Sequence, residues 1–78
     1  MPKIPIVKAK VFLGFLMKYG CDEINVRGSH HKIFNSKTGR TSVIAVHSGQ
    51  DLDKGSFSGI LNQLDIDIEN FLEFMKNN

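Results

Sequence analysis

Apolar and polar positions divide this chain into short segments of changing period. From Val7 to Tyr19 no proline interrupts, and Val11, Phe12, Leu13, Phe15, Leu16 and Met17 are apolar, which predicts a first helix after an extended Pro2–Pro5 lead. Gly20 follows its last turn and can take the left-handed conformation that ends helices, with Lys18 near the negative end of the dipole. Because almost every mid-helix position is apolar, this helix is expected to be mostly buried. Polar and apolar residues then alternate from Asp22 to Val26, placing Ile24 and Val26 on one face of a strand. Arg27-Gly28-Ser29 turns the chain, Lys32-Ile33-Phe34 forms a second strand, and Ser36-Lys37-Thr38-Gly39 makes a hairpin with glycine where a positive φ is needed. Arg40 to Val46 is the third strand. The three strands are expected to form an antiparallel meander with one face covered by helix and the other open.

His47 to Gly55 is rich in turn formers and reads as a connecting loop. Ser56 suits the N-cap of a second helix, whose Phe57, Ile60, Leu61 and Leu64 fall on one side. Asp67 suits the cap of a short third helix with Ile68, Phe71, Leu72 and Met75 on its apolar side. The predicted class is α+β in the order α-β-β-β-α-α, with no internal repeat or linker.

Length narrows this to one body. At 78 residues the chain is about half the usual length of a domain, so residues 1–78 are expected to fold as a single unit around one small core. Its 41% hydrophobic and 23% charged content is that of a globular protein. A lone cysteine, Cys21, makes no internal disulfide and fits a reducing compartment, so the expected location is the cytoplasm. Met1–Ile6 holds no apolar run long enough for a signal peptide or a membrane span, and no membrane partner is expected.

Charge changes the picture more than composition does. Residues 1–50 carry eight Lys and Arg against two Asp and Glu, net +6, whereas residues 51–78 carry two against six, net −4. A basic N-terminal half suits a polyanion such as RNA, and a solvated surface is the plainer explanation.

The candidate chemistry lies in Gly28-Ser29-His30-His31, where a glycine turn presents two imidazoles between Arg27 and Lys32. RNA is cut without a metal when its 2′-hydroxyl attacks the adjacent phosphorus. That reaction needs a group titrating near neutrality to move protons, and cations to steady the charge gathering on phosphate. Histidine, with an ordinary pKa of about 6.5, suits the first task; Arg27, Lys32 or Arg40 suits the second. In a strand His30 and His31 point to opposite faces, so only one of them can occupy a given site. The plainer alternative is a hairpin entrance with two exposed histidines. His47, closing the third strand, is placed to act as a second proton-transfer group or to orient substrate, or else only to bond backbone.

Other chemistries fit less well. Three histidines and a cysteine lack the paired spacing that seeds a zinc site, so no metal and no cofactor are expected. Cys21 precedes Asp22 and Glu23, which disfavour a thiolate. Ser56 stands in no nucleophile motif, and neither a Gly-x-Gly-x-x-Gly nor a P-loop is present.

Taken together, Gly20, Gly28-Ser29-His30-His31, Thr38-Gly39-Arg40, Val46-His47-Ser48-Gly49, Lys54-Gly55-Ser56, Ile60-Leu61 and Asp67 to Phe71 resemble the HicA, or YcfA-like, family of mRNA interferase toxins over nearly the whole chain. The resemblance implies a fold like that of the double-stranded-RNA-binding domain and a ribosome-independent endoribonuclease that cleaves mRNA. It also implies inhibition by a HicB antitoxin, and it places the catalytic histidine at His30; the reading of the residues themselves keeps His31 and His47 as lesser candidates and sets Arg27, Gly28, Ser29, Lys32 and Arg40 at the RNA. Where family members often have basic residues in the second helix, this chain has Ser58 and Asn62. The rival readings are a non-catalytic RNA-binding module of the double-stranded-RNA-binding-domain type and a protein-interaction domain. The first would place a basic cluster at the start of the second helix, where Asp51 and Asp53 stand with only Lys54.

Overall fold

The computed structural model describes residues 6–47 and 49–77; the Pro2–Pro5 lead and Ser48 lie outside the described residues. In chain order the elements are β1 (Val7–Lys8), α1 (Ala9–Tyr19), β2 (Cys21–Arg27), β3 (His30–Asn35), β4 (Arg40–Ala45), β5 (Asp51–Leu52), α2 (Lys54–Leu64) and α3 (Ile68–Lys76). β2, β3 and β4 form an antiparallel sheet with β3 in the middle. The three-stranded sheet and its helices give the α+β arrangement of the double-stranded-RNA-binding domain, as the resemblance implies.

Two strands depart from the expected order. Val7 and Lys8 open no helix; they pair antiparallel with Leu52 and Asp51 in a separate two-stranded ladder, and α1 begins only at Ala9. The expected connecting loop therefore contains a strand.

β3 sets the layering. Ile33 and Asn35 are fully buried, and on β4 Ser42, the partner of Ile33, and Ile44, the partner of His31, are buried with them, so this side of the pleat faces the helices. The alternate positions Lys32, Thr41 and Val43 are exposed on the other side. On β2 only Cys21 is buried, and the register shifts between Glu23 and Asn25. That bulge leaves Ile24 and Val26 about half exposed, 51% and 47%, rather than aligned on a buried face. A bulge on an outer strand also twists the edge away from pairing with another chain.

α1 turns inward only Ala9, Phe12, Phe15 and Leu16, at the i, i+3, i+6 and i+7 spacing of one helical face. Val11 and Met17 are 42% and 44% exposed, so the expectation of a mostly buried helix is corrected: the sheet, α2 and α3 pack against one side of α1 and leave Val11 and Met17 exposed on the other. Gly20 ends it as predicted, at φ 118° with its N–H directed to the Leu16 and Met17 carbonyls. The Lys37 ammonium donates to the Tyr19 carbonyl at 3.0 Å and lies 4.1 Å from that ring's centre, tying the hairpin turn to the end of α1.

The second helix also starts earlier than its sequence pattern indicates. Asp53, not Ser56, is the N-cap, and its carboxylate accepts from both the Ser56 amide at 3.0 Å and the Ser56 hydroxyl at 2.7 Å. Phe57, Ile60, Leu61 and Leu64 are buried on one face as expected. Asp67 caps α3 through the Glu69 amide at 3.1 Å. On α3 only Phe71 is fully buried, whereas Met75 is 40% exposed.

Five of the six phenylalanines meet in one cluster. Phe71 stands nearly edge-on to Phe15 at 5.2 Å, to Phe57 at 5.0 Å and to Phe12 at 5.7 Å, while Phe74 packs 5.3 Å from Phe15. Rings at this spacing contribute beyond their buried area. The polar anchor of the core is Asn35, whose amide donates to the Leu64 carbonyl at 2.8 Å and whose oxygen accepts from the Lys37 amide at 3.1 Å.

The cluster places the fully buried Phe71 of α3 among rings from both α1 and α2. Phe71→Ala is expected to lower unfolding free energy by about 3–5 kcal/mol, with Phe71→Leu much milder, in urea denaturation followed by circular dichroism. A loss below about 1 kcal/mol for the alanine variant would show that α3 does not close the core.

Candidate functional site

The site begins at the turn between β2 and β3. Arg27 pairs with His30, leaving Gly28 and Ser29 as a two-residue loop. Gly28 has φ 57°, and Ser29 is not among the positive-φ residues, the pattern of a type II′ turn. This tight reversal puts His30 at the first position of the central strand, directly across from Ala45 on β4. The Ser29 carbonyl accepts from the Val46 amide at 2.8 Å, which holds the chain leaving β4 against the turn.

His47 follows one residue later, and its loop is fastened from the other side. The Gln50 amide donates to the His47 carbonyl at 3.2 Å, and the Ala9 amide to the Gln50 carbonyl at 3.4 Å. The Lys8 ammonium reaches both the Gly49 carbonyl and the Asp51 carboxylate at 3.1 Å. The β1–β5 ladder is thus a strap that fixes the segment carrying His47.

These restraints set two histidines on the border of one cleft. His30 and His47 line one cleft of about 380 Å³ at the margin of β4, with Val43 and Ala45 on one wall and Ser56, Gly59 and Gln63 of α2 on the other. A shallower groove continues from it along β4 past Val43 and Gln63 to Thr41, Arg40 and Gly39. Ser42, between them, donates its hydroxyl to the Gln63 side-chain oxygen, which ties α2 to β4 there.

The carboxylates near the cleft have partners. Asp51 pairs with Lys8, and Asp53 is held below the usual carboxylate range first by the Ser56 hydroxyl and then by the Ser56 amide. The capping interaction therefore persists above the ordinary carboxylate pKa and weakens as pH falls through the lowered one.

The remaining candidates fall elsewhere. His31 turns to the opposite face from His30, as strand geometry requires, and its Nδ1 lies 3.1 Å from a Glu23 carboxylate oxygen. Arg27 stands across from His30, and Lys32 follows two residues along β3; both are exposed. Arg40 pairs with Asn35 at the far end of the hairpin and lines only the shallower groove. Cys21 is buried, and burial first, then Asp22, pushes its thiol up, with Lys37 opposing. Glu23, which flanks it in sequence, is instead the partner of His31. No local pattern assigns Gln50, Ser56 or Gln63 to the cleft, because the packing of α2 against β4 brings Ser56 and Gln63 there and the strap brings Gln50.

Among the described residues no group of three His, Cys, Asp or Glu is placed to hold a metal ion. No described helix is long and apolar enough to cross a membrane.

The cleft depends on the turn at Gly28. A methyl group there meets no atom within 4 Å, so Gly28→Ala carries only the backbone penalty of an L-residue in the left-handed region, about 1–2 kcal/mol. Chemical denaturation is expected to show that loss, with Gly28→Asn recovering part of it; an alanine variant as stable as the parent would show that the turn does not need its positive φ.

No curated protein and no solved structure matches this chain significantly. A protein-family model does: that of the HicA toxin of bacterial toxin–antitoxin systems, matched over residues 10–66, which span α1, the whole three-stranded sheet, the histidine cleft and α2. A match over that much of the chain shows the family, and the chain belongs to the HicA toxins.

Proposed function

We propose that this toxin is a metal-independent endoribonuclease that cleaves mRNA through histidine acid–base chemistry at His30. The observation that carries the reading is that His30 and His47, from a hairpin turn and a strapped loop, line one cleft while His31 is turned away and engaged by Glu23. Cleavage of RNA by its own 2′-hydroxyl requires two proton transfers. One imidazole takes the proton from the 2′-oxygen as that oxygen bonds to phosphorus. The bond from phosphorus to the 5′-oxygen breaks, and an imidazolium returns a proton to the departing 5′-oxygen. The products are a 2′,3′-cyclic phosphate and a 5′-hydroxyl. His30 serves as one of these groups and His47 is placed to serve as the other, with Arg27 and Lys32 beside His30 to steady phosphate charge.

Family membership implies a cognate antitoxin. In this reading that partner is HicB-like, carries acidic groups against the exposed cations of the sheet, and meets the toxin in the cytoplasm. The non-catalytic double-stranded-RNA reader is disfavoured by the start of α2, where Asp53 is the cap and Lys54 the nearest cation on that helix.

The test is cleavage of a defined RNA by the purified chain, with growth after induction in a heterologous bacterium alongside. His30→Ala is expected to slow cleavage by about 10²–10⁴-fold and to abolish growth arrest. His47→Ala should slow it less, EDTA should leave it intact, and fragments should end in 2′,3′-cyclic phosphate. Equal cleavage by the parent and His30→Ala, or loss of cleavage in EDTA, overturns the reading.

A further inference from the structure

Phe34 is the one phenylalanine outside the core cluster. Its neighbours on β3, Ile33 and Asn35, are fully buried on the helix side, so Phe34 projects from the open face together with Lys32 and His30. The ring is half-buried, and among the described residues it meets no other aromatic ring. Its cross-strand neighbours are the exposed, polar Asp22 and Thr41.

The same face has an ordered charge distribution. Arg27 and Lys32 are exposed near His30, and among the described residues neither is in an ion pair. Asp22 stands at the Phe34 end. A polyanion crossing this face is attracted at the His30 end, whereas beside Asp22 a phosphate is repelled and a neutral base is not. Phe34 lies four residues from His30 along an extended strand, roughly 13 Å, which a stacked nucleic-acid strand at about 3.4 Å per nucleotide covers in about four nucleotides and an extended one in fewer.

Resting on the ribonuclease reading above, we propose that the open face of the sheet is a track for single-stranded RNA. An unpaired base stacks on Phe34 while Arg27 and Lys32 hold the intervening phosphates, and the strand delivers its scissile bond to the His30 cleft. The substrate class follows from the geometry. An aromatic ring on an open sheet face binds the face of an unstacked base, which single strands offer and an A-form duplex hides within its stack.

The chain has no tryptophan, so Phe34→Trp introduces a single fluorescent reporter at this position. In the full chain carrying His30→Ala to prevent cleavage, a short unstructured RNA is expected to quench that tryptophan, whereas inorganic polyphosphate of similar charge leaves it unquenched. In the same background Phe34→Leu, which keeps apolar bulk without a flat ring, is expected to weaken binding of labelled RNA about 10- to 100-fold, with Phe34→Tyr near the parent. Binding to a duplex of the same sequence is expected to be weaker than to the single strand.

RNA binding without quenching, equal quenching by polyphosphate, parental affinity in Phe34→Leu, or preference for the duplex each overturns the track. The two readings fail separately. If His30→Ala cleaves like the parent while RNA still quenches the reporter, the catalytic assignment falls and the track stands. If His30→Ala is inert while Phe34→Leu binds like the parent, the track falls and the catalytic assignment stands.

Discussion

β3 is the middle strand of the sheet, and the pleat of that strand governs everything around it. Burying Ile33 and Asn35 against the helices commits His31 to the same side and His30, Lys32 and Phe34 to the other. A one-residue slip in register would exchange the two sets, exposing the core anchors and burying a lysine. Register is secured at both ends of the strand. At one end the two-residue turn through Gly28 fixes the pairing of Arg27 with His30; at the other, the side chain of Asn35 is bonded to the end of α2. His30 and His31 are thus sent to opposite faces of the sheet by the same demand that holds the core together.

A body this small has little apolar surface to bury, so single groups carry large shares of its organisation. Phe71 joins α3 to α1 and α2 through rings alone. The β1–β5 strap gives the core Val7 and the partly buried Leu52, and its Lys8–Asp51 pair is exposed, where ion pairs contribute little to stability. Its effect is positional. By fastening Gly49, Gln50 and Asp51 to the residues just before α1, it limits the freedom of the segment that presents His47. His30 is placed by regular secondary structure, and His47 by this strap together with the bond from Val46 to Ser29.

Much of this was legible from local pattern. Alternation located β2, β-rich runs between turn residues located β3 and β4, helical spacing located the buried face of α2, and Gly20, Gly39 and Asp67 marked ends and turns for reasons intrinsic to each residue. The divergence of His30 and His31 needed only the period of a strand. What escaped depends on contacts distant in sequence. β1 and β5 are too short to show a period, and Val7 finds its partner Leu52 more than forty residues away. The bulge at Ile24 and the exposed back of α1 reflect which surfaces the fold leaves uncovered, which composition does not reveal. The cap of α2 was misplaced because Asp53 and Ser56 are both good cap residues, and only the backbone at Lys54 and Gly55 decides between them.

The charge asymmetry of the chain takes on a different meaning once the helices are placed. In the acidic half, Asp53 and Asp67 cap helices and Glu69 lies in the first turn of α3, positions where negative charge complements the dipole. Asp51 belongs to the strap. Most of that half's excess charge therefore answers local structural demands and says little about a ligand. Arg27 and Lys32 have no such employment: they terminate no helix and, among the described residues, pair with no carboxylate. Unpaired cations held on a rigid sheet beside an imidazole retain their full field for an incoming anion, with no internal ion pair to break first. The useful electrostatic signal in this sequence is thus the lack of partners for a few cations near His30, which net charge by halves only partly reflects.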